Sequence, residues 1–161
     1  MARRREGSVS RKWRASFYVG GWGPSLGDRD EGRAAHPSGA GRAAEVTVAV
    51  DTRTAATARS FVTATLHSWG LGGPVGAAAA VVDQFVEAAR RQGSPLVDVR
   101  VCRTGSGVRV EVIERSHPPT DDLATGAEGP TAAVLDGLSN AWGCLAIGSA
   151  SCLWADIPRG A

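Results

Sequence analysis

Apolar residues recur along this chain with two different periods, and the switches between them mark out its elements. From Gly73 to Gly93 (GPVGAAAAVVDQFVEAARRQG) the period is helical. Val75, Ala78, Ala79, Val82, Phe85, Val86 and Ala89 fall three and four apart and share one face. Pro74 suits an opening position, and Gly93 followed by Pro95 suits a stop. Gln84 and Ala88 lie one turn apart on a stripe beside the apolar face. Thr54 to Trp69 reads as a second helix, with Ala58, Phe61, Val62, Thr65, Leu66 and Trp69 on its apolar stripe. Arg53, Arg59 and His67 fall off that stripe, and Gly70, Gly72 and Gly73 end the helix. Asp51 and Thr52 stand before it as turn or cap residues.

Elsewhere the period is two. Glu45 to Val50 (EVTVAV), Leu96 to Arg103 (LVDVRVCR) and Val108 to Ile113 (VRVEVI) alternate and read as strands. Thr104-Gly105-Ser106-Gly107 between the last two is a hairpin loop. Trp142 to Ile147 and Ser151 to Ile157 read as two further strands joined through Gly148-Ser149-Ala150, and Pro158 closes the last. Pro130 to Leu138 reads as a short helix, and the polar, aperiodic stretch from Glu114 to Glu128 as a long loop. Antiparallel strands backed by helices on one face make an α+β, two-layer sandwich with a mostly antiparallel sheet.

Residues 1–44 are rich in Gly, Arg, Ser and Pro without lasting periodicity, so they read as a disordered basic tail ahead of a single domain spanning 45–161. Trp13, Phe17, Tyr18 and Trp22 form an aromatic patch within it, a candidate for docking on a partner or on nucleic acid. The chain of 161 residues carries a net charge of +2, too small to argue for nucleic acid. The positive charge is concentrated in Arg3, Arg4, Arg5, Arg11, Lys12 and Arg14, which leaves the remainder slightly acidic. Cys102, Cys144 and Cys152 form neither a disulfide framework nor a zinc pattern, and read as reduced thiols of a cytoplasmic protein. No apolar run approaches the roughly 20 residues that span a membrane, and the N-terminus lacks an apolar core of the signal-peptide kind.

Three phrases resemble the anti-sigma-factor serine kinases, a branch of the gyrase, histidine-kinase and MutL ATPase superfamily with many small actinobacterial members. TAATARSFVTATLHSWGL (Thr54–Leu71) is similar to the family's first helix. VRVEVIERSHPP (Val108–Pro119) is similar to its strand and following loop, and Trp142-Gly143 with SCLWADIP (Ser151–Pro158) to its closing hairpin. The resemblance covers about residues 45–158 and implies the histidine-kinase-like ATPase fold.

It also implies three nucleotide motifs. The central helix of the family carries a Glu that serves as general base and, four residues on, an Asn that holds Mg²⁺. Those positions fall on Gln84 and Ala88, an amide and a methyl group, which supply neither function. Glu87 points about 100° away from Ala88 around the helix and does not replace them. The family's Asp-x-Gly accepts from the adenine amino group; here Glu114 stands in with one extra methylene, while Arg115 and His117 put side chains where the family keeps the backbone bare. Arg115 is also a candidate phosphate partner. The Gly-x-Gly turn that cradles phosphate becomes Gly129-Pro130-Thr131-Ala132, and Pro130 has no N–H to donate.

The expected site is therefore a degenerate nucleotide pocket of Gln84, Ala88, Glu114, Arg115, Gly129 and Thr131, with no catalytic residue at the base position Gln84. No cofactor is expected, ATP and Mg only if the pocket is retained. The resemblance implies a protein partner such as a sigma factor or an anti-sigma antagonist, and homodimerisation as an option. An active serine/threonine kinase acting on an antagonist is the alternative, and a nucleic-acid module using the basic tail a third. His117, flanked by prolines, reads as an ordinary loop histidine.

Overall fold

The computed structural model describes residues 42–115, 129–147 and 149–160 together with a backbone segment at 13–18. The chain runs β1 (Trp13–Tyr18), β2 (Ala43–Ala49), α1 (Thr54–Ser68), α2 (Val75–Gln92), β3 (Leu96–Arg103), β4 (Gly107–Glu114), α3 (Gly129–Leu138), β5 (Ala141–Ile147) and β6 (Ala150–Pro158). Among the described residues the strands form one six-stranded sheet in the order β1-β5-β6-β4-β3-β2. Every neighbouring pair is antiparallel except β1 with β5. The helices pack on one face of it.

Local chemistry sets the element ends. The Thr54 hydroxyl donates to the Ala49 carbonyl at 2.8 Å and accepts the Asp51 N–H at 2.6 Å, which ties the β2 exit to the first turn of α1. Asp51 Oδ1 accepts the Arg53 N–H at 2.6 Å, the local bond expected of a short acidic side chain at a helix start. α2 ends at Gly93, whose φ of 75° lies in the left-handed region where glycine is at least strain. At the β3–β4 hairpin, the Thr104 N–H donates to the Gly107 carbonyl at 2.9 Å. The Gly107 N–H in turn donates to Thr104 Oγ1 at 3.0 Å.

The main core lies between helices and sheet. α2 contributes Ala77, Ala78, Val81, Val82, Phe85, Val86 and Ala89, all buried. This stripe is wider than the sequence period predicts. Ala77 and Val81 are buried because α2 lies against α1 and α3 as well as over β4 and β6, whereas Val75 and Ala79 remain half-exposed. From the sheet come Val97, Val99 and Val101, then Val108, Val110 and Val112, then Leu153, Ala155 and Ile157. Each fully buried Val or Leu of this kind stabilises by about 1.5–3 kcal/mol relative to exposure. The Trp142 indole N–H donates to Asp136 Oδ1 at 2.8 Å, which fastens α3 to β5. Phe85 and Trp142 are core, and Phe61 and Trp69 pack on its margin, as their periodicity predicts.

Alternate residues point to the opposite face. There Ile113 and Cys152 are buried, with Leu145 and Trp154 packed against them. Polar pairs surround them. Arg109 grips Asp156 through two bonds of 2.6 and 2.7 Å and lies 4.6 Å over the Trp154 ring. Arg100 reaches Glu45 at 3.7 Å and Glu111 at 3.9 Å.

Strand β1 departs from the expectation of an unstructured tail over 1–44, and β2 begins at Ala43 rather than Glu45. β1 pairs in parallel with β5, Trp13 opposite Trp142, so its partner lies more than a hundred residues away and no local period announces it. The rest of the expected tail up to residue 41, and 116–128 of the expected loop with His117, lie outside the described residues.

Candidate functional site

The central helix presents its Gln84–Ala88 stripe at the edge of the buried face. Both residues are half-buried, and Ala88 packs against the main core. Gln92, one further turn along the same stripe, has a buried Oε1 with no hydrogen-bond partner among the described residues. One step round from Gln84, Asp83 turns toward α1, with Arg59 Nε at 3.4 Å from its Oδ1. Burial raises the Asp83 pKa from its ordinary value, and the Arg59 charge partly opposes the rise. Glu87 is occupied by Arg90, at 2.8 Å from each carboxylate oxygen, and those bonds lower its pKa. Among the described residues no group of three or more His, Cys, Asp or Glu is arranged to hold a metal ion.

The alternation of β4 explains where Glu114 goes. It shares its parity with Val108, Val110 and Val112, so its side chain enters the helix side of the sheet, where it is completely buried. Its Oε2 accepts a short hydrogen bond from the Ser94 hydroxyl, just beyond the end of α2. On β6 the residue opposite Glu114 is Ser151, whose buried Oγ has no hydrogen-bond partner among the described residues. Cys144 of β5 belongs to the same neighbourhood. Burial, with the Glu114 charge adding to it, pushes its thiol up to about 12. Glu114, Ser94, Ser151 and Cys144 thus gather polar atoms beneath the helices at one end of the sheet.

Of these four, the sequence places only Glu114 in the expected pocket, while Cys144 reads as a reduced thiol and Ser151 as the start of a strand. Ser94 was readable only as the residue between a helix-ending glycine and a proline. Ser151 had a usable signal, a polar residue at a helix-facing position of an otherwise apolar alternation. Arg115 does not join the group. One residue beyond Glu114, it projects from the opposite face, where its guanidinium bonds Asp98 on β3. Asp98 is buried and also accepts the Thr47 hydroxyl at 2.6 Å. Arg115 therefore neither crowds a base nor faces a phosphate on the helix side. Gly129 opens α3, Pro130 is exposed and Thr131 is half-buried in the first turn.

No family model matches the chain, and no curated protein matches it. A solved structure does: the crystal structure of the RsbU and RsbW domains of Rv1364c from Mycobacterium tuberculosis. The TM-score is 0.53 at 18% sequence identity, and the match covers 71% of this chain and 31% of that one. The fold is that of a histidine-kinase-like ATPase. The chain thus spans less than a third of the protein it superposes on, and at this identity the likeness speaks for the fold alone.

Proposed function

We propose that this chain is a regulatory protein that binds another protein through a scaffold of the anti-sigma-factor-kinase type and transfers no phosphate. The observation that carries the reading is the Gln84–Ala88 stripe of α2. An amide there accepts no proton near neutral pH, and a methyl group offers magnesium no oxygen. The neighbouring carboxylates are committed elsewhere, Asp83 toward Arg59 and Glu87 to Arg90. These residues do not fit a magnesium-bound nucleotide. Pro130 removes a phosphate-facing amide at the start of α3. On this reading the partner is a sigma factor or an anti-sigma antagonist, captured by the scaffold without covalent chemistry.

Ser151 favours a second reading in one respect. Its buried hydroxyl, without a hydrogen-bond partner among the described residues, stands opposite buried Glu114 and is suited to receive a small polar group such as the amino edge of a base. Weak nucleotide binding without catalysis follows from that reading.

Calorimetry with ATP and magnesium separates these outcomes, combined with a radiolabel transfer assay against candidate antagonists. The proposal expects no heat of binding and no transfer. A dissociation constant in the low micromolar range, or any labelled antagonist, refutes it and restores the kinase reading. The double change Gln84→Glu with Ala88→Asn then asks whether the pocket lacks only its chemical groups. Titration of the protein with purified sigma factors and antagonists of its host tests the partner class directly, and a failure of every such protein to bind refutes that part.

A further inference from the structure

We propose that β2 is a docking edge for a second copy of this chain, and that two copies pair β2 to β2, antiparallel, about a two-fold axis at Val46. Among the described residues β2 ends the sheet, with β3 on its inner side alone. Two hydrogen bonds fix which of its backbone groups are spare. The Arg103 N–H donates to the Arg42 carbonyl at 2.8 Å, and the Val50 N–H donates to the Pro95 carbonyl at 2.9 Å. In an antiparallel ladder, residues bonded to the neighbouring strand alternate with residues whose groups point away from it. Even-numbered residues of β2 therefore face β3, and Ala43, Glu45, Thr47 and Ala49 turn N–H and C=O outward. All four are exposed. Of these groups, the Ala49 carbonyl already accepts the Thr54 hydroxyl.

A row of outward donors and acceptors is a template for another strand, and sheets protect such edges with Lys, Pro, bulges or very short strands. β2 has none of these. It is seven residues long, AAEVTVA, its register with β3 is unbroken, and Glu45 is its single charge. The strand it fits is its own copy. Because the odd positions carry the outward groups, two copies bond only in registers that set odd positions against odd ones. The register that uses all seven residues does this: Ala43 meets Ala49 of the second copy, Glu45 meets Thr47, and Val46 meets Val46. Charge agrees with it. Each Glu45 faces a hydroxyl, already has its own Arg100 at 3.7 Å, and lies on a diagonal of about 7–8 Å from the other Glu45. On the helix side the pairs are Val46 with Val46 and Ala44 with Val48, all apolar.

The helix above the edge leaves room for this. α1 lies over β2 and β3 beside α2. Arg59, at 3.4 Å from Asp83, marks the side of α1 that faces α2. At 100° per residue, Thr57, Phe61, Ala64 and Ser68 fall roughly 140–200° round from it, on the side toward the free edge. Thr57, Ala64 and Ser68 are small and exposed, so the second α1 can approach closely. Phe61 is a half-buried ring, and that approach covers it.

Sedimentation equilibrium and disulfide trapping of the full chain test the proposal. The chain should pass from monomer to dimer between roughly 1 and 200 μM. Glu45→Pro removes an outward N–H and leaves the bonds to β3, so it should raise the dimer dissociation constant about tenfold or more. Val46→Cys places two thiols at a non-hydrogen-bonded pair, with Cα atoms about 4.5 Å apart and within disulfide range. Mild oxidation should link two copies of the tryptic peptide 43–53. Thr47→Cys, whose copies lie beyond the roughly 7 Å limit in this register, should not link. A chain that stays monomeric up to about 200 μM overturns the proposal, whatever other strand the edge accepts. So does a dimer that a folded Glu45→Pro variant leaves unchanged, or the absence of the 43–53 link from Val46→Cys. If the proline variant unfolds, the two cysteine variants decide the matter, and equal linking by both overturns the register.

Discussion

Phe85→Ala tests the reading of the central helix most directly. Phe85 is 2% exposed midway along α2, where that helix lies over the sheet with α1 and α3 beside it. Loss of the ring forfeits a transfer free energy of about 1.5–3 kcal/mol. Sheet and flanking helices limit collapse into the space, so a cavity contribution adds to it, and the total falls at about 3–5 kcal/mol. For a domain of this size that lowers the melting temperature by roughly 10 °C or more. Urea denaturation followed by tryptophan fluorescence reads the change, with Trp142 as a buried reporter in the same core. The slope of the transition should hold while its midpoint falls. Val134→Ala, at a 39% exposed position on α3, is the control and should cost about 0.5 kcal/mol or less. A loss under 1 kcal/mol for Phe85→Ala would refute the packing described, because a ring in that environment has no route to so small a cost.

The thiols provide a pH prediction. Burial and the Glu111 charge push Cys102 from 9.0 to about 11, and burial with Glu114 pushes Cys144 to about 12. These groups stabilise the fold fully below the unfolded thiol value, and that contribution drains as pH rises from about 9 toward 11–12. The urea midpoint should therefore fall across that window, and Cys144 and Cys152 should resist a disulfide reagent at pH 8 until the chain unfolds; rapid labelling of either in the native protein contradicts it. Gly107→Ala should destabilise by about 1–3 kcal/mol through overpacking. Its Cβ would meet the Ile157 carbonyl oxygen at 2.0 Å, and an unchanged melting curve would show that the β4–β6 junction yields freely. Glu114→Ala leaves the Ser94 hydroxyl without that acceptor and should cost on the order of 1–3 kcal/mol, while Glu114→Gln retains an oxygen and recovers most of it. Equal losses for the two would place the effect in charge or shape instead.

Much of the architecture is legible in the sequence, because helices and strands announce themselves through short-range periods. β3 falls on Leu96–Arg103, as its alternation predicts, and α2 stops at Gly93 for the reason its sequence suggests. The fold class followed from the order of those elements. Hydrophobic alternation also decided that Glu114 shares a face with Val112. What lay over that face was beyond it: Ser151 meets Glu114 only because β6 inserts between β4 and β5, and Ser94 only because α2 packs on β4, contacts between distant segments that no local period encodes. The same limit hid β1, whose partner strand is remote, although three aromatic residues among its six are a composition that favours strands. Arg115 shows the limit most sharply. A motif assigned it to a pocket by its position after a strand, but a strand turns successive side chains to opposite faces, and buried Asp98 on the far side is the partner that holds it. Residue types by themselves put an amide at Gln84 and a methyl group at Ala88 of α2; only the packing of α1 and the sheet around α2 decided which polar groups gather near that helix, because contact between distant segments depends on three-dimensional register rather than on sequence spacing.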